Sequence, residues 1–117
     1  APDIKLMNEA AQYLLGEHDF IGFGRPLSEY GTSIRRIEQA EWELTGADSM
    51  AFTITGNAFL YHMVRRIVYV LVKIGLREAP VEIVPMGLQT GNTGIVALAP
   101  ARGLTLVEVK YAEDVEK

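Results

Sequence analysis

The chain has 117 residues, 49% hydrophobic and 22% charged, with a formal net charge of −4 and no cysteine. Such a chain buries one modest core and forms a single domain spanning 1–117; its composition argues against disorder, and the missing cysteine excludes disulfides and thiolate metal sites and fits a reducing cytoplasm. The acidic balance argues against an autonomous nucleic-acid binder, no run reaches the roughly 20 apolar residues of a membrane span, and the opening APDIKLMNEAAQ has neither signal-peptide character nor an initiator methionine, as expected of a piece of something longer.

In chain order, residues 5–15 (KLMNEAAQYLL) repeat Leu6, Ala10, Tyr13 and Leu14 at helical spacing, with Asp3 as cap and Gly16 as stop. Residues 20–33 hold glycines, a proline and serines and read as a loop, anchored by Phe20 and Phe23. Residues 34–44 follow as a strand in which Ala40, Trp42 and Leu44 alternate with Gln39, Glu41 and Glu43. Ile34 and Ile37 break that alternation, which predicts a bulge near Arg36. After a turn at 45–49, residues 50–55 (MAFTIT) alternate again, so the two runs form an antiparallel hairpin. Residues 59–74 predict the main helix, with Phe59, Met63, Ile67, Val70 and Ile74 on one stripe and Gly75 after it. A short helix or turn is expected within 80–90, a loop at GNTG and a last strand over 103–111. The order predicts an α+β fold, an antiparallel β-sheet with helices packed on one face.

Most chemical motifs fail on spacing or context. His18 and His62 stand far apart with no ligand pattern around them, so each reads as a structural hydrogen-bonding residue and no metal is expected. GFGRPLS and TGNTG lack the context of phosphate loops, and Ser28, Ser33 and Ser49 lack a nucleophile elbow.

The arginines carry more. Successive helical residues point about 100° apart, so Arg65 and Arg66 face different ways on the main helix. Its apolar surface should half-bury at least one guanidinium, and a buried guanidinium requires an anionic partner. That partner is either a carboxylate of this chain, such as Glu17 or Glu108, or an anion from outside it. The first choice makes this a structural or dimerisation domain; the second makes it an enzyme part or a stand-alone RNA-binding module.

Four segments bear on the choice: LLGEHDFIGF (14–23), SIRRI (33–37), NAFLYHMVRRIV (57–68) and LAPARGLTLVEVKY (98–111). In this order and spacing the chain resembles the C-terminal half of the tRNA pseudouridine synthase A family. Tyr69 stands where that family has glycine, and 90–98 lacks its usual Asp-Arg pair. The resemblance implies one half of the pseudouridine synthase fold, in an enzyme that isomerises uridine in the tRNA anticodon arm. It implies that Arg65 pairs with a nucleophilic aspartate of an N-terminal half, whose Gly-Arg-Thr-Asp segment this sequence does not contain. Leu104 and Met63 would line the uracil pocket. Arg25, Arg35, Arg36, Arg66 and Arg102 are candidates for the tRNA backbone, where charge positions rather than reads sequence. No cofactor is implied; a cytoplasmic homodimer holding tRNA across both subunits is.

Overall fold

The computed structural model describes residues 2–28, 31–47, 49–94 and, as backbone, 106–111. Period-2 alternation builds the central hairpin. Strand β2 (Ile34–Leu44) pairs antiparallel with β3 (Met50–Gly56), placing Trp42 beside Phe52 and Ala40 beside Ile54. These residues, with Ile37 and Met50, form a buried inward row, while Gln39, Glu41 and Glu43 keep the other face wet. The register shifts between Ile37 and Gln39, slightly beyond the expected bulge near Arg36. The extra residue lets Ile37 and Ala40, three apart, both point inward.

Helix α1 (Ile4–Ala11) continues into a 3-10 turn (Gln12–Leu14). The Asp3 carboxylate accepts from the backbone N–H groups of Lys5 and Leu6, supplying the expected cap. Gly16 takes a φ of +95°, open to glycine at no steric cost, and begins β1 (Gly16–Asp19), which pairs antiparallel with β2. This strand was not expected. Its four residues, GEHD, show no apolar alternation, and only the partner strand defines it.

Strand β1 pairs with β2 only as far as Ile37, so part of that edge of β2 needs another partner. Asn8 of α1 supplies it at Trp42. The Trp42 N–H donates to Asn8 Oδ1 at 2.6 Å, and Asn8 Nδ2 donates to the Trp42 carbonyl at 3.0 Å. A side-chain amide thus imitates a neighbouring strand and ties helix to sheet. Asn8→Ala leaves both backbone groups unpaired beside a buried Trp42 and should cost about 1–3 kcal/mol. Urea unfolding followed by fluorescence of Trp42, the only tryptophan, checks this.

The main helix, α2 (Met63–Gly75), starts four residues later than the apolar stripe suggested. Tyr61 instead makes an isolated antiparallel bridge with Arg25, its N–H donating to the Arg25 carbonyl at 3.0 Å. His62 then takes a left-handed φ of +65°, which no helical residue can hold. From Met63 onward the stripe is as expected: Met63, Ile67, Val70, Leu71 and Ile74 are buried. They join Met7, Leu14 and the inward row of the sheet in one core. Helix α3 (Ile83–Thr90) follows, ended by Gly91 at φ +78°.

Strand β4 (Leu106–Tyr111) pairs with β3 in parallel, giving the order β1-β2-β3-β4. The α+β class holds, with three antiparallel strands and a fourth added in parallel. The segment from β3 to β4 carries α2 and α3, a helical crossover of the kind that parallel neighbours require. Residues 103–105, expected at the start of this strand, lie outside the described residues.

Candidate nucleic-acid interface

The bridge that delays α2 also builds a cleft. Pairing Tyr61 with Arg25 draws the loop after β1 against the approach to α2. Gly24 permits this closeness, since a Cβ there would lie 2.7 Å from the Tyr61 carbonyl oxygen. Between the loop, the start of α2 and the segment after α3 lies a cleft of about 550 Å³. Ile21, Gly22, Gly24 and Arg25 form one side of it, Tyr61, His62 and Arg66 another, and Gly91, Asn92 and Thr93 the third. A second cleft of about 470 Å³, lined by Arg25, Pro26, Leu27, Ser28 and Tyr61, lies beside it and shares the Arg25–Tyr61 pair.

The Arg25 guanidinium sits 5.5 Å from the Tyr61 ring centre, and the Tyr61 and His62 rings stack at 3.8 Å. Guanidinium, phenol and imidazole therefore form a short ladder. Arg66 is half-buried at the foot of the cleft. Among the described residues its side chain has no ion pair, and no Asp or Glu lines the cleft.

The other expected site residues are dispersed. Arg65 is exposed on α2, outside both clefts, and among the described residues no carboxylate pairs with it. Glu17, a suggested internal partner, lies 3.8 Å from Arg36 on exposed side chains of the sheet. Arg35 donates through Nη1 to the carbonyls of Thr32 and Ile34, both at 2.7 Å. Met63, expected against the uracil, belongs to the core. It is fully buried, its sulfur accepts from the Leu60 N–H at 3.4 Å, and it lines neither of the two clefts described. Leu104 and Arg102 lie outside the described residues, as do 95–98 of the 90–98 segment.

The histidines divide. His18 Nε2 lies 2.7 Å from the Leu15 carbonyl, a structural contact, while His62 belongs to the cleft. Tyr69, where the resemblance predicts glycine, carries the Lys73 ammonium 5.6 Å from its ring centre. A hydrogen bond from Lys73 to Glu78, reinforced by that carboxylate's charge, raises the Lys73 pKa above its ordinary value. Sequence reasoning missed Tyr61 and His62, which it placed inside a continuous helix.

Fold and site define an α+β domain with an exposed arginine on its main helix and a cleft lined by two arginines and, among the described residues, by no acid. The chain belongs to the tRNA pseudouridine synthase family, whose model matches residues 10–112. It is 39% identical over 112 residues to tRNA pseudouridine synthase A of Francisella tularensis subsp. novicida (strain U112), covering 95% of this chain and 43% of that protein. The same name, identity and coverage hold for the protein of Francisella tularensis subsp. tularensis (strain SCHU S4 / Schu 4). The Francisella philomiragia protein of that name is 38% identical over equal spans. The chain thus spans less than half the length of these curated relatives.

Proposed function

We propose that this chain is the C-terminal domain of a tRNA pseudouridine synthase acting on uridines of the anticodon stem-loop, and that Arg65 is its contribution to the reacting centre. The family match across residues 10–112 carries the reading. The exposure of Arg65 supports it, because a guanidinium that must meet a carboxylate from another half has to be presented outward. There it holds the nucleophilic aspartate ionised, lowering its pKa, and fixes its direction toward the nucleotide. In the reaction the bond from ribose C1′ to uracil N1 breaks and one to C5 forms. The C5 proton leaves to solvent and N1 gains one.

Arg25 and Arg66 bind tRNA phosphates in this reading, with Arg35, Arg36 and Arg102 as further backbone contacts and Leu104 against the uracil. The whole protein acts as a cytoplasmic homodimer without a cofactor.

Release of tritium from C5-labelled uridine in tRNA tests the proposal. The 117-residue chain should release none, having no aspartate in a Gly-Arg-Thr-Asp context, while the full-length protein should turn over. Turnover by the chain alone would overturn the division of the active site.

A further inference from the structure

We infer that the two clefts flanking the Arg25–Tyr61 pair form one groove for a short single-stranded segment of RNA, its phosphates on Arg66 and Arg25. The inference rests on the RNA-directed reading above but concerns ground outside the Arg65 site.

Charge placement is the first argument. The protein carries a net charge of −4, yet among the described residues no Asp or Glu lines either cleft. Three of the described acids pair with other cations: Glu17 with Arg36, Asp3 with Arg77 and Glu78 with Lys73. Among the described residues no carboxylate forms an ion pair with Arg25 or Arg66, so both are open to an anion from outside. Arg66 is half-buried and has no ion pair among the described residues, so an arriving anion would offset its partial desolvation.

Stacking is the second argument, and it separates a nucleotide from other anions. Arg25, Tyr61 and His62 already form a ladder, with separations of 5.5 and 3.8 Å. A base extends such a ladder, whereas an acidic peptide or a free phosphate makes no use of it. His62 holds its place in the ladder at a left-handed φ of +65°, and the surrounding structure bears that backbone strain at the groove itself. The groove continues past Tyr61 to Leu27, which is 85% exposed and offers an apolar face to a second base. An unpaired strand fits because its bases are free to splay and stack; paired bases are not.

The test is binding of a dye-labelled oligouridylate by the 117-residue chain at about 50 mM salt, where phosphate contacts are strong. Arg66→Glu should weaken binding about tenfold or more, and Arg66→Gln should lower the salt slope by about one. Tyr61→Leu should weaken it about fivefold or more through lost stacking. Lys5→Glu, the same charge change on the exposed face of α1, should alter it less than twofold. Amide shifts should concentrate at Gly22, Gly24 and Asn92.

Equal losses in the Lys5 and Arg66 variants, or no binding by the native chain, overturn the groove. So does equal binding of inorganic phosphate or polyglutamate, which would mark a generic anion site or a protein partner. Oligonucleotide binding by the chain and tritium release by the full-length protein are separate readouts. A silent groove therefore removes this inference while leaving the Arg65 reading intact, and the converse also holds.

Discussion

Phe52→Ala is expected to lower the melting temperature by roughly 10–20 °C. Phe52 is fully buried in β3, between β2 and β4, and its ring stacks on Trp42 at a centroid distance of 4.7 Å. Truncating a buried phenylalanine costs about 3–5 kcal/mol, through lost transfer energy and the cavity left behind. Domains of this size have about 5–15 kcal/mol in total, and each kilocalorie moves the midpoint by several degrees. Trp42 also reports the change locally, because its near-UV dichroism and emission depend on the stacked ring. Should Ala prevent folding, Phe52→Leu keeps much of the volume and gives a smaller fall in the same direction. A midpoint within about 2 °C of the native value in both variants would show that the sheet is not packed as described.

The same packing explains what could be read from residue order. Trp42 and Phe52 each sit in an alternating run, and alternation is a local property, so the hairpin and its inward row were visible in advance except at Leu44, which the pattern set beside Ala40 and Trp42 but which the strand's end leaves exposed. The stripe from Met63 to Ile74 was visible for the same reason. The start of α2 was not, because Phe59 and Leu60 continue the apolar pattern while the chain there is committed elsewhere. Tyr61 bridges Arg25, and that pairing depends on where the loop after β1 arrives. Strand β1 exists because β2 offers an edge, and the parallel direction of β4 follows from the crossover rather than from its own residues.

The site divides along the same line. Motif resemblance singles out Arg65, because its segment is distinctive. It gives no hint that Arg25 and Arg66, distant in sequence, share a cleft, or that Tyr61 and His62 stack there. Those facts arise from one bridge and one left-handed residue. Nor does residue order show that the fold turns Arg35 onto backbone carbonyls and sets Arg36 near Glu17.

Arg65→Ala in the full-length protein should reduce turnover on the order of a hundredfold or more while leaving stability nearly unchanged. The first half follows from the proposed pairing. A nucleophilic carboxylate without its guanidinium loses both the charge that keeps it ionised and the contact that aims it, and misplacement by about 1 Å alone can cost a hundredfold. The second half follows from position. Arg65 is exposed and makes no ion pair among the described residues, so its removal should fall within about 0.5 kcal/mol, as surface substitutions do. Lysine is the informative companion. Arg65→Lys retains the charge but not the planar fork that can hold a carboxylate by two parallel bonds. It should recover part of the rate if charge dominates and little if orientation does. Single-turnover tritium release, with melting curves on the same preparations, separates chemistry from folding. An alanine variant that turns over at the native rate would remove Arg65 from the reacting centre, and its exposure would then be that of an ordinary surface arginine.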